Sequence, residues 1–173
     1  MGKIFYANKS GFTTEAALQN IFSTYYGKAN VTILRTKNGK PYVESGPHFS
    51  VTHTQNRLYI AFSDEEIGLD AEHLLRETNY APITKKFSKT EQAEITCATE
   101  FLQHWIVKES AVKHLGGTLA VDLKPLDYTN GHLTYHGQPF PAKITLLQHE
   151  DFILSVCGNE DFENATFIPL ETL

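Results

Sequence analysis

The sequence has 173 residues, of which 41% are hydrophobic and 20% are charged, and its formal net charge is −5. This composition excludes a disordered chain, and the length suits one compact domain or two small halves that share a core. The acidity argues against nucleic acid as a partner, because polyanion binders carry a basic excess, and no apolar segment approaches the roughly 20 residues needed to span a bilayer.

The two cysteines and the first residues of the chain bear on the compartment. Cys97 and Cys157 are far apart in sequence and form no CxxC pair, which favours reduced thiols over a disulfide or a zinc site. Residues 1–10 contain no long apolar run of the kind found in signal peptides. We therefore expect a cytoplasmic protein that does not bind membranes.

The N-terminal part predicts a strand followed by a helix. Residues 3–7 alternate weakly between apolar and polar, as in a short strand. Thr13 or Thr14 can cap a helix that runs to about Tyr26, and Gly27 is a typical stop after it.

Strands dominate the next part of the chain. β-Branched and aromatic residues predict strands at 31–36, 49–53, 57–63 and 67–72. The Asn-Gly pair at 38–39 is a strong turn signal between the first two of these strands.

The second half of the sequence begins with helices and ends with strands. Residues 78–100 look helical, with a Ser-x-x-Glu capping box at Ser88 and Glu91, and a further helix spans 101–115. Short strands are predicted at 121–123, 133–135, 143–147, 152–157 and 165–169. This order indicates an α+β fold made of two loosely similar halves.

Two small groups of polar residues could carry chemistry. In a strand, Asp70 and Glu72 would point to the same face, where they could either face solvent or bind a cation. In the helix that follows, Trp105, Glu109 and Lys113 are four residues apart and share one side. By itself this helical pattern is more typical of a core tryptophan beside a surface ion pair.

Several motifs in a fixed order resemble the 4′-phosphopantetheinyl transferase superfamily, over about residues 38–157. They are Gly-Lys-Pro at 39–41, Phe-Ser-Val-Thr-His-Thr at 49–54, Ile-Gly-Leu-Asp-Ala-Glu at 67–72, Phe-Ser-Lys-Thr-Glu at 87–91 and Trp-Ile-Val-Lys-Glu-Ser-Ala-Val-Lys at 105–113. Their presence in one chain is similar to the broad-specificity, surfactin-synthetase-activating type. That type implies two pseudo-symmetric α/β halves, here residues 1–73 and 74–173, with the active site between them.

The resemblance implies a function as well as a fold. Members move the 4′-phosphopantetheine group of coenzyme A to a serine of an apo acyl or peptidyl carrier protein and release 3′,5′-ADP. The implied enzyme is a magnesium-dependent phosphopantetheinyl transferase that acts as a holo-[acyl-carrier-protein] synthase, and we expect a monomer.

The resemblance also assigns roles to individual residues. Asp70, Glu72 and Glu109 match the Mg²⁺ positions, and Glu109 and Lys113 match the catalytic ones. Coenzyme A is expected to contact Lys40, Thr52, His53, Lys108 and Lys113.

A local basic cluster suggests where the carrier protein docks. Arg76, Lys85, Lys86 and Lys89 are close in sequence within an otherwise acidic half of the chain. Carrier proteins are usually acidic around their modified serine, so a positive surface would steer them.

Two other functions fit part of the pattern. A non-catalytic module that binds coenzyme A or a carrier protein would need fewer of the acidic and basic motif residues. Another metal-dependent phosphoryl-transfer enzyme could use the same carboxylates, and it would hydrolyse coenzyme A without a protein acceptor. The residues before Gly39 show no match to the basic motifs that typical family members have upstream, although Lys28, Arg35 or Lys37 could replace them.

Overall fold

The computed structural model describes residues 2–8, 11 and 13–172, which form a mixed fold of helices and strands. The helices in these residues are α1 (Thr14–Tyr26), α2 (Ala81–Thr84), α3 (Lys89–Glu94), α4 (Ala98–His114) and α5 (Leu119–Asp122). The first strands are β1 (Lys3–Asn8), β2 (Leu34–Arg35), β3 (Pro41–Tyr42), β4 (His48–Thr54), β5 (Arg57–Ser63) and β6 (Gly68–His73). The later strands are β7 (Leu126–Thr129), β8 (His132–Tyr135), β9 (Gln138–Pro139), β10 (Ile144–His149), β11 (Phe152–Cys157) and β12 (Thr166–Pro169).

The first sheet has the strand order β12-β1-β5-β4 and is covered by α1. As predicted, α1 begins after Thr13, whose side chain accepts a hydrogen bond from the Ala16 backbone N–H. It ends at Gly27, which adopts the left-handed conformation with φ 61° that glycine tolerates. The apolar face of α1 packs on phenylalanines of β1, β4 and β5, which makes this the first core of the molecule.

The second sheet has the strand order β10-β11-β6, and α4 packs across it. The helix approaches β6 very closely at Gly68, where a Cβ atom would lie only 1.8 Å from the Ser110 carbonyl oxygen. On the neighbouring strand β11, the Ser155 hydroxyl lies 2.8 Å from the Ser110 hydroxyl of α4. The absence of a side chain at Gly68 therefore sets the distance between α4 and the strand that carries Asp70 and Glu72.

Two strands pair with partners from the other side of the predicted boundary between residues 73 and 74. β6, from the N-terminal part, pairs antiparallel with β11 in the second sheet. β12, from the C-terminal end, pairs parallel with β1 in the first sheet. The division into two pseudo-symmetric halves stays a prediction, and the pairing shows that each sheet draws on both parts of the chain.

The predicted helix over residues 78–100 is interrupted twice. A capping box at Ser88 separates α2 from α3, as the Ser-x-x-Glu signal indicates. A second one separates α3 from α4, because the Glu100 carboxylate accepts hydrogen bonds from the backbone N–H groups of Thr96 and Cys97. Local side-chain caps thus break what the average helix propensity predicts as one segment.

The strand predicted at 121–123 is wrong, because this stretch lies in and just after α5. The Asp122 carboxylate accepts a hydrogen bond from the Thr118 backbone N–H and another from the Tyr135 hydroxyl. These two bonds favour a short helical turn over an extended strand at Val121. The adjacent strand β7, which sequence patterns missed, pairs with β8 in a hairpin.

Within the described part of the chain, no helix is both long enough and apolar enough to cross a membrane.

Candidate active site

The predicted metal-binding and catalytic residues, together with Thr52 and His53, converge on one open cavity of about 390 Å³ between β4, β6 and α4. Strand β6 supplies its two alternate carboxylates from one face, and α4 supplies residues four apart on one side, as the two periodicities predict. The lining comprises Val51, Thr52, His53, Asp70, Ala71, Glu72, Arg76, Trp105, Glu109 and Lys113.

Hydroxyl groups of β4 hold the carboxylates of β6. The Thr52 hydroxyl donates to Asp70 Oδ1 at 2.9 Å, and the Thr54 hydroxyl donates to Glu72 Oε2 at the same distance. All four side chains are buried. Because buried carboxylates need partners, these two bonds fix the rotamers in which Asp70 and Glu72 face the cavity.

Two positively charged side chains also contact the carboxylates of β6. Lys113 Nζ donates to Asp70 Oδ1 at 2.7 Å and to the Leu69 carbonyl at 3.0 Å. The Arg76 guanidinium pairs with the carboxylate of Glu72. Lys113 therefore lies against a carboxylate of β6, and each of the two carboxylates of β6 has a positive neighbour in the cavity.

Glu109 lies in a different electrostatic environment. Burial, followed by the negative charge of Asp70, raises the pKa of Glu109 to about 7, although Lys113 opposes this shift. Burial also raises the pKa of Glu72 above its usual value, against the hydrogen bond from Thr54 and the charge of Arg76. A carboxyl group with a pKa close to neutrality is well matched to accept a proton from a hydroxyl nucleophile.

The predicted ligand residues His53 and Lys40 line two different cavities. His53 is exposed at the first cavity, with Nε2 2.9 Å from the Thr14 hydroxyl of α1. Lys40 Nζ donates to Glu66 Oε2 at 2.7 Å and lines a second cavity of about 240 Å³. Lys113 lines both cavities, which therefore adjoin.

Turns that the sequence singled out surround the second cavity. The Asn38-Gly39 turn contributes Asn38, whose Nδ2 donates to the Gly116 carbonyl at 2.8 Å. Gly116 and Gly117, which follow α4, complete the opposite wall. The backbone around this cavity is thus tied together from two distant parts of the chain.

The structure corrects the prediction for Lys108. Its side chain is only 1% exposed, and its ammonium donates to both carboxylate oxygens of Glu91 at 2.9 and 2.8 Å. Lys108 lies outside the lining of the cavity because adjacent helical residues point about 100° apart, and Glu109 takes the direction toward β6. It is therefore a buried partner of Glu91 and has no access to a ligand in the cavity.

The four basic residues predicted to dock a carrier protein lie in different places. Arg76 lines the cavity and pairs with Glu72. Lys85 and Lys86 are exposed beside an open, mainly apolar groove of about 670 Å³, and Lys89 is exposed on α3. The groove is lined by Ile83, Lys85, Lys86, Trp105, Leu119, Ala120, Leu123 and Lys124.

Trp105 lines both this groove and the first cavity. Its ring stacks on Phe101 at a centroid distance of 6.1 Å and packs against the apolar cluster beneath α2 and α3. The tryptophan therefore anchors α4 to its neighbouring helices.

The chemistry of the carboxylates fits a hard divalent cation such as Mg²⁺. Asp70, Glu72 and Glu109 present only oxygen donors to one cavity, and their mutual repulsion would be relieved by a cation. In the present side-chain arrangement, no group of three or more His, Cys, Asp or Glu residues among those described is positioned to hold a metal ion. Lys113 and Arg76 occupy carboxylate oxygens that such an ion would share.

Sequence reasoning missed three residues that shape the site. Thr54 holds Glu72, Ser50 Oγ accepts a hydrogen bond from the Leu69 backbone N–H at 2.9 Å, and Glu91 holds Lys108. The signal for the hydroxyls was the alternation of Ser or Thr at positions 50, 52 and 54, which places all of them on one face of a strand. No sequence pattern pairs Glu91 with Lys108, because their contact depends on how two helices pack.

No model of a known protein family matches the chain. It is similar, however, to curated proteins from bacilli. It is 22% identical to 4′-phosphopantetheinyl transferase gsp of Aneurinibacillus migulanus, over 71% of this chain and 55% of that protein. It is 27% identical to 4′-phosphopantetheinyl transferase Sfp of Bacillus subtilis strain 168, over 72% of this chain and 58% of that protein.

A third relative extends the similarity along the chain. The sequence is 25% identical to 4′-phosphopantetheinyl transferase ffp of Bacillus subtilis, over 92% of this chain and 79% of that protein. The chain spans a little more than half the length of the first two relatives. These similarities confirm the resemblance that the motifs indicate: over most of its length the chain is similar to 4′-phosphopantetheinyl transferases of the Sfp-like type.

Proposed function

We propose that this protein transfers the 4′-phosphopantetheine group of coenzyme A to a serine of an apo carrier protein. The serine oxygen would attack the β-phosphorus, the bond from that phosphorus to the bridging oxygen of 3′,5′-ADP would break, and the serine proton would leave to a base. The observation that carries the proposal is the convergence of Asp70, Glu72, Glu109 and Lys113 on one cavity. Local periodicity alone would not require side chains from β6 and α4 to share a cavity.

The residues in the cavity would divide the work. Glu109, whose pKa is raised to about 7 in the absence of a bound cation, would accept the serine proton directly or through a water molecule. Lys113 would neutralise the charge that develops on the departing 3′,5′-ADP, and its place between the two cavities suits contact with the phosphates. His53 and Lys40 would bind further phosphate oxygens of coenzyme A, with the Thr52 hydroxyl holding Asp70 in place.

Magnesium would be held by Asp70, Glu72 and Glu109. When bound, Mg²⁺ would neutralise the pyrophosphate and the charge of the leaving group. For the ion to enter, Lys113 and Arg76 would release carboxylate oxygens and turn toward the phosphates of coenzyme A. The donor set supports this assignment, since it consists of oxygen atoms only.

The groove beside Trp105 is where we propose that the carrier protein docks. Its apolar floor is flanked by Lys85, Lys86 and Lys124, which would attract an acidic surface. Trp105 borders both the groove and the cavity, so a protein held in the groove would have its serine close to Glu109. The proposed enzyme acts as a monomer on acyl or peptidyl carriers, which includes the narrower activity of a holo-[acyl-carrier-protein] synthase.

The proposal is tested by measuring the mass of a carrier protein after the reaction. The protein is mixed with coenzyme A, Mg²⁺ and an apo carrier protein, and the carrier mass is measured by mass spectrometry. We expect a gain of one phosphopantetheine group and the appearance of 3′,5′-ADP. Unchanged carriers of several kinds would favour a module that only binds, and hydrolysis of coenzyme A without carrier would favour another phosphoryl-transfer enzyme.

A further inference from the structure

Glu91 and Lys108 form an ion pair that is completely enclosed. Glu91 is 0% exposed and Lys108 is 1% exposed, and the ammonium contacts both carboxylate oxygens. Glu91 also accepts hydrogen bonds from the backbone N–H groups of Ser88 and Tyr128, at 2.9 and 3.1 Å. The ammonium of Lys108 lies 4.3 Å above the centre of the Phe87 ring, which closes its remaining side.

The pair connects three elements at one point. Glu91 belongs to α3, Lys108 belongs to α4, and the Tyr128 N–H comes from β7. Because the carboxylate is satisfied from all three directions, a rotation of α4 about its axis would break bonds to a fully buried charge. The contact therefore fixes the orientation of α4 at Lys108.

Glu109 follows Lys108 directly on the same helix. Neighbouring residues on a helix are separated by about 100° around the axis, so the direction of one fixes that of the other. The close approach at Gly68 sets how far α4 lies from β6, whereas the Glu91–Lys108 pair sets which residues of α4 face β6. Together the two contacts determine where the Glu109 carboxylate lies relative to Asp70.

Stability alone is a poor explanation for such a pair. Removing two charges from water costs several kcal/mol per ion, and replacing a buried ion pair with apolar residues is often neutral or stabilising. Apolar replacements would not require a particular direction of their partners, because apolar contacts are not directional. A buried pair with several hydrogen bonds is suited to select one orientation of the helix among several packed ones.

We propose that Glu91 and Lys108 are positioning residues that hold α4 in the rotation at which Glu109 meets the carboxylates of β6. The effect on catalysis rests on the proposed transferase function, whereas the effect on the helix does not. Neither residue touches the substrate in this proposal. Both act through Glu109, which follows Lys108 on α4 and points about 100° away from it around the helix axis.

The test uses the double substitution Glu91→Gln with Lys108→Met, which removes both charges. The amide oxygen that remains can accept from only one of the Ser88 and Tyr128 N–H groups, because these two groups donate to different oxygens of Glu91. The matched control is Glu94→Gln. Glu94 lies on the same helix as Glu91 and also connects α3 to α4, through His104 Nε2 at 3.1 Å, while accepting a hydrogen bond from the Asn130 N–H. Glu94 therefore connects the same two helices, but its side chain is 31% exposed and its partner lies one turn of α4 before Lys108.

The first readout is independent of activity. Trp105 is the single tryptophan of the sequence and lies on α4 one turn before Glu109, so its fluorescence reports the orientation of this helix. We expect the double variant to shift the emission maximum of Trp105 and to change its quenching by acrylamide, with thermal unfolding still cooperative. The Glu94→Gln control should retain the emission of the unmodified protein.

The second readout is steady-state kinetics on an apo carrier protein. A misplaced base is expected to lower kcat by about 10- to 100-fold, while KM for coenzyme A stays within about twofold, because no ligand contact is removed. The control should keep kcat. If the double variant does not fold, Glu91→Asp replaces it. That change keeps both charges but shortens the side chain at position 91, so it should also shift the Trp105 emission and lower kcat.

The outcomes separate this proposal from the proposed function. A folded variant with unchanged Trp105 emission and unchanged kcat would overturn the positioning role. Loss of kcat in the control to the same extent would also overturn it, because any contact between α3 and α4 would then suffice. An unmodified protein without transferase activity would contradict the proposed function alone, and the Trp105 measurement would still decide whether the pair orients α4.

Discussion

Each carboxylate of the candidate site is held by a different set of neighbours. Asp70 has the Thr52 hydroxyl and the Lys113 ammonium, whereas Glu72 has the Thr54 hydroxyl and the Arg76 guanidinium. The pKa of Glu109, in contrast, is raised to about 7 by burial and by the charge of Asp70. The differences between these environments suggest different roles for chemically similar side chains.

The raised pKa of Glu109 predicts how its removal affects stability. Folding favours the protonated form, so this stabilising contribution is fully present below the unfolded pKa of 4.5 and is lost as the pH rises through about 7. In buffer without Mg²⁺, Glu109→Gln should raise the free energy of unfolding at pH 8 by on the order of 1–3 kcal/mol, with a much smaller effect at pH 4. Urea unfolding at both pH values measures this, and an equal effect at both would contradict it.

The hydroxyls of β4 predict how much stability is lost when one of them is removed. Thr54→Val removes the donor to Glu72 while conserving shape, and it should cost about 1–3 kcal/mol because a buried acceptor loses a partner. Thr24→Val is the matched control, since Thr24 is exposed and its hydroxyl bonds only within α1. Chemical denaturation of both variants checks the difference. A cost for Thr54→Val no larger than for the control would show that this hydroxyl does not stabilise the site.

At the scale of single elements, α4 and β6 form the site because Gly68 lets them come close. A methyl group at Gly68 would overlap the Ser110 carbonyl oxygen at 1.8 Å and the His114 backbone nitrogen at 2.6 Å. Both obstacles are backbone atoms of α4, so no side-chain rotation relieves the overlap. The helix as a whole would have to move away from the strand.

Gly68→Ala should therefore destabilise the fold by more than about 3 kcal/mol and separate Glu109 from Asp70. Gly158→Ala is the control, because a Cβ there meets its nearest neighbours at an ordinary 3.6 Å. Thermal unfolding of the two variants gives the comparison. Equal melting temperatures would contradict the tight approach of α4 to β6.

Sequence patterns predicted the helix and strands of the site more accurately than they predicted the contacts between them. Alternation placed Asp70 and Glu72 on one face of β6, and helical spacing placed Glu109 and Lys113 on one side of α4. The same spacing could not show that Lys108 faces Glu91, because that depends on how α3 packs against α4. Local periodicity describes which residues share a face, but only the packing of elements decides what each face meets.

Boundaries were harder to predict where side chains compete with regular structure. Residues 78–100 have helix propensity throughout, yet caps by Ser88 and Glu100 divide them. Residues 121–123 resemble a strand, but two hydrogen bonds of Asp122 stabilise a turn of helix. In both cases a few specific hydrogen bonds outweigh a propensity that amounts to tenths of a kcal/mol per residue.

At the scale of the whole molecule, the two sheets are connected by strands that come from opposite ends of the chain. β12 lies beside β1, and β6 lies beside β11, so neither sheet is built from one half alone. The site lies where β4 of the first sheet meets β6 of the second and α4 packs over them. The predicted pair of similar halves would therefore have to share strands.

The basic residues beside the proposed docking groove predict how a carrier protein would associate. Lys85→Glu or Lys86→Glu should lower kcat/KM for an acidic carrier protein by roughly two- to tenfold at low ionic strength, and less at high salt. Lys3→Glu, which lies in β1 of the first sheet, carries the same change in net charge and serves as the control. Equal slowing by all three variants would mean that net charge, and not the groove, governs association.

The central claim is that Asp70, Glu72, Glu109 and Lys113 form one site that transfers phosphopantetheine. The most direct measurement is the mass of an apo carrier protein after incubation with coenzyme A, Mg²⁺ and either the unmodified protein or Glu109→Gln. We expect a gain of one phosphopantetheine with the unmodified protein and none with Glu109→Gln, whose circular dichroism should show the same fold. An equal mass gain with both proteins, or with neither, would contradict the account.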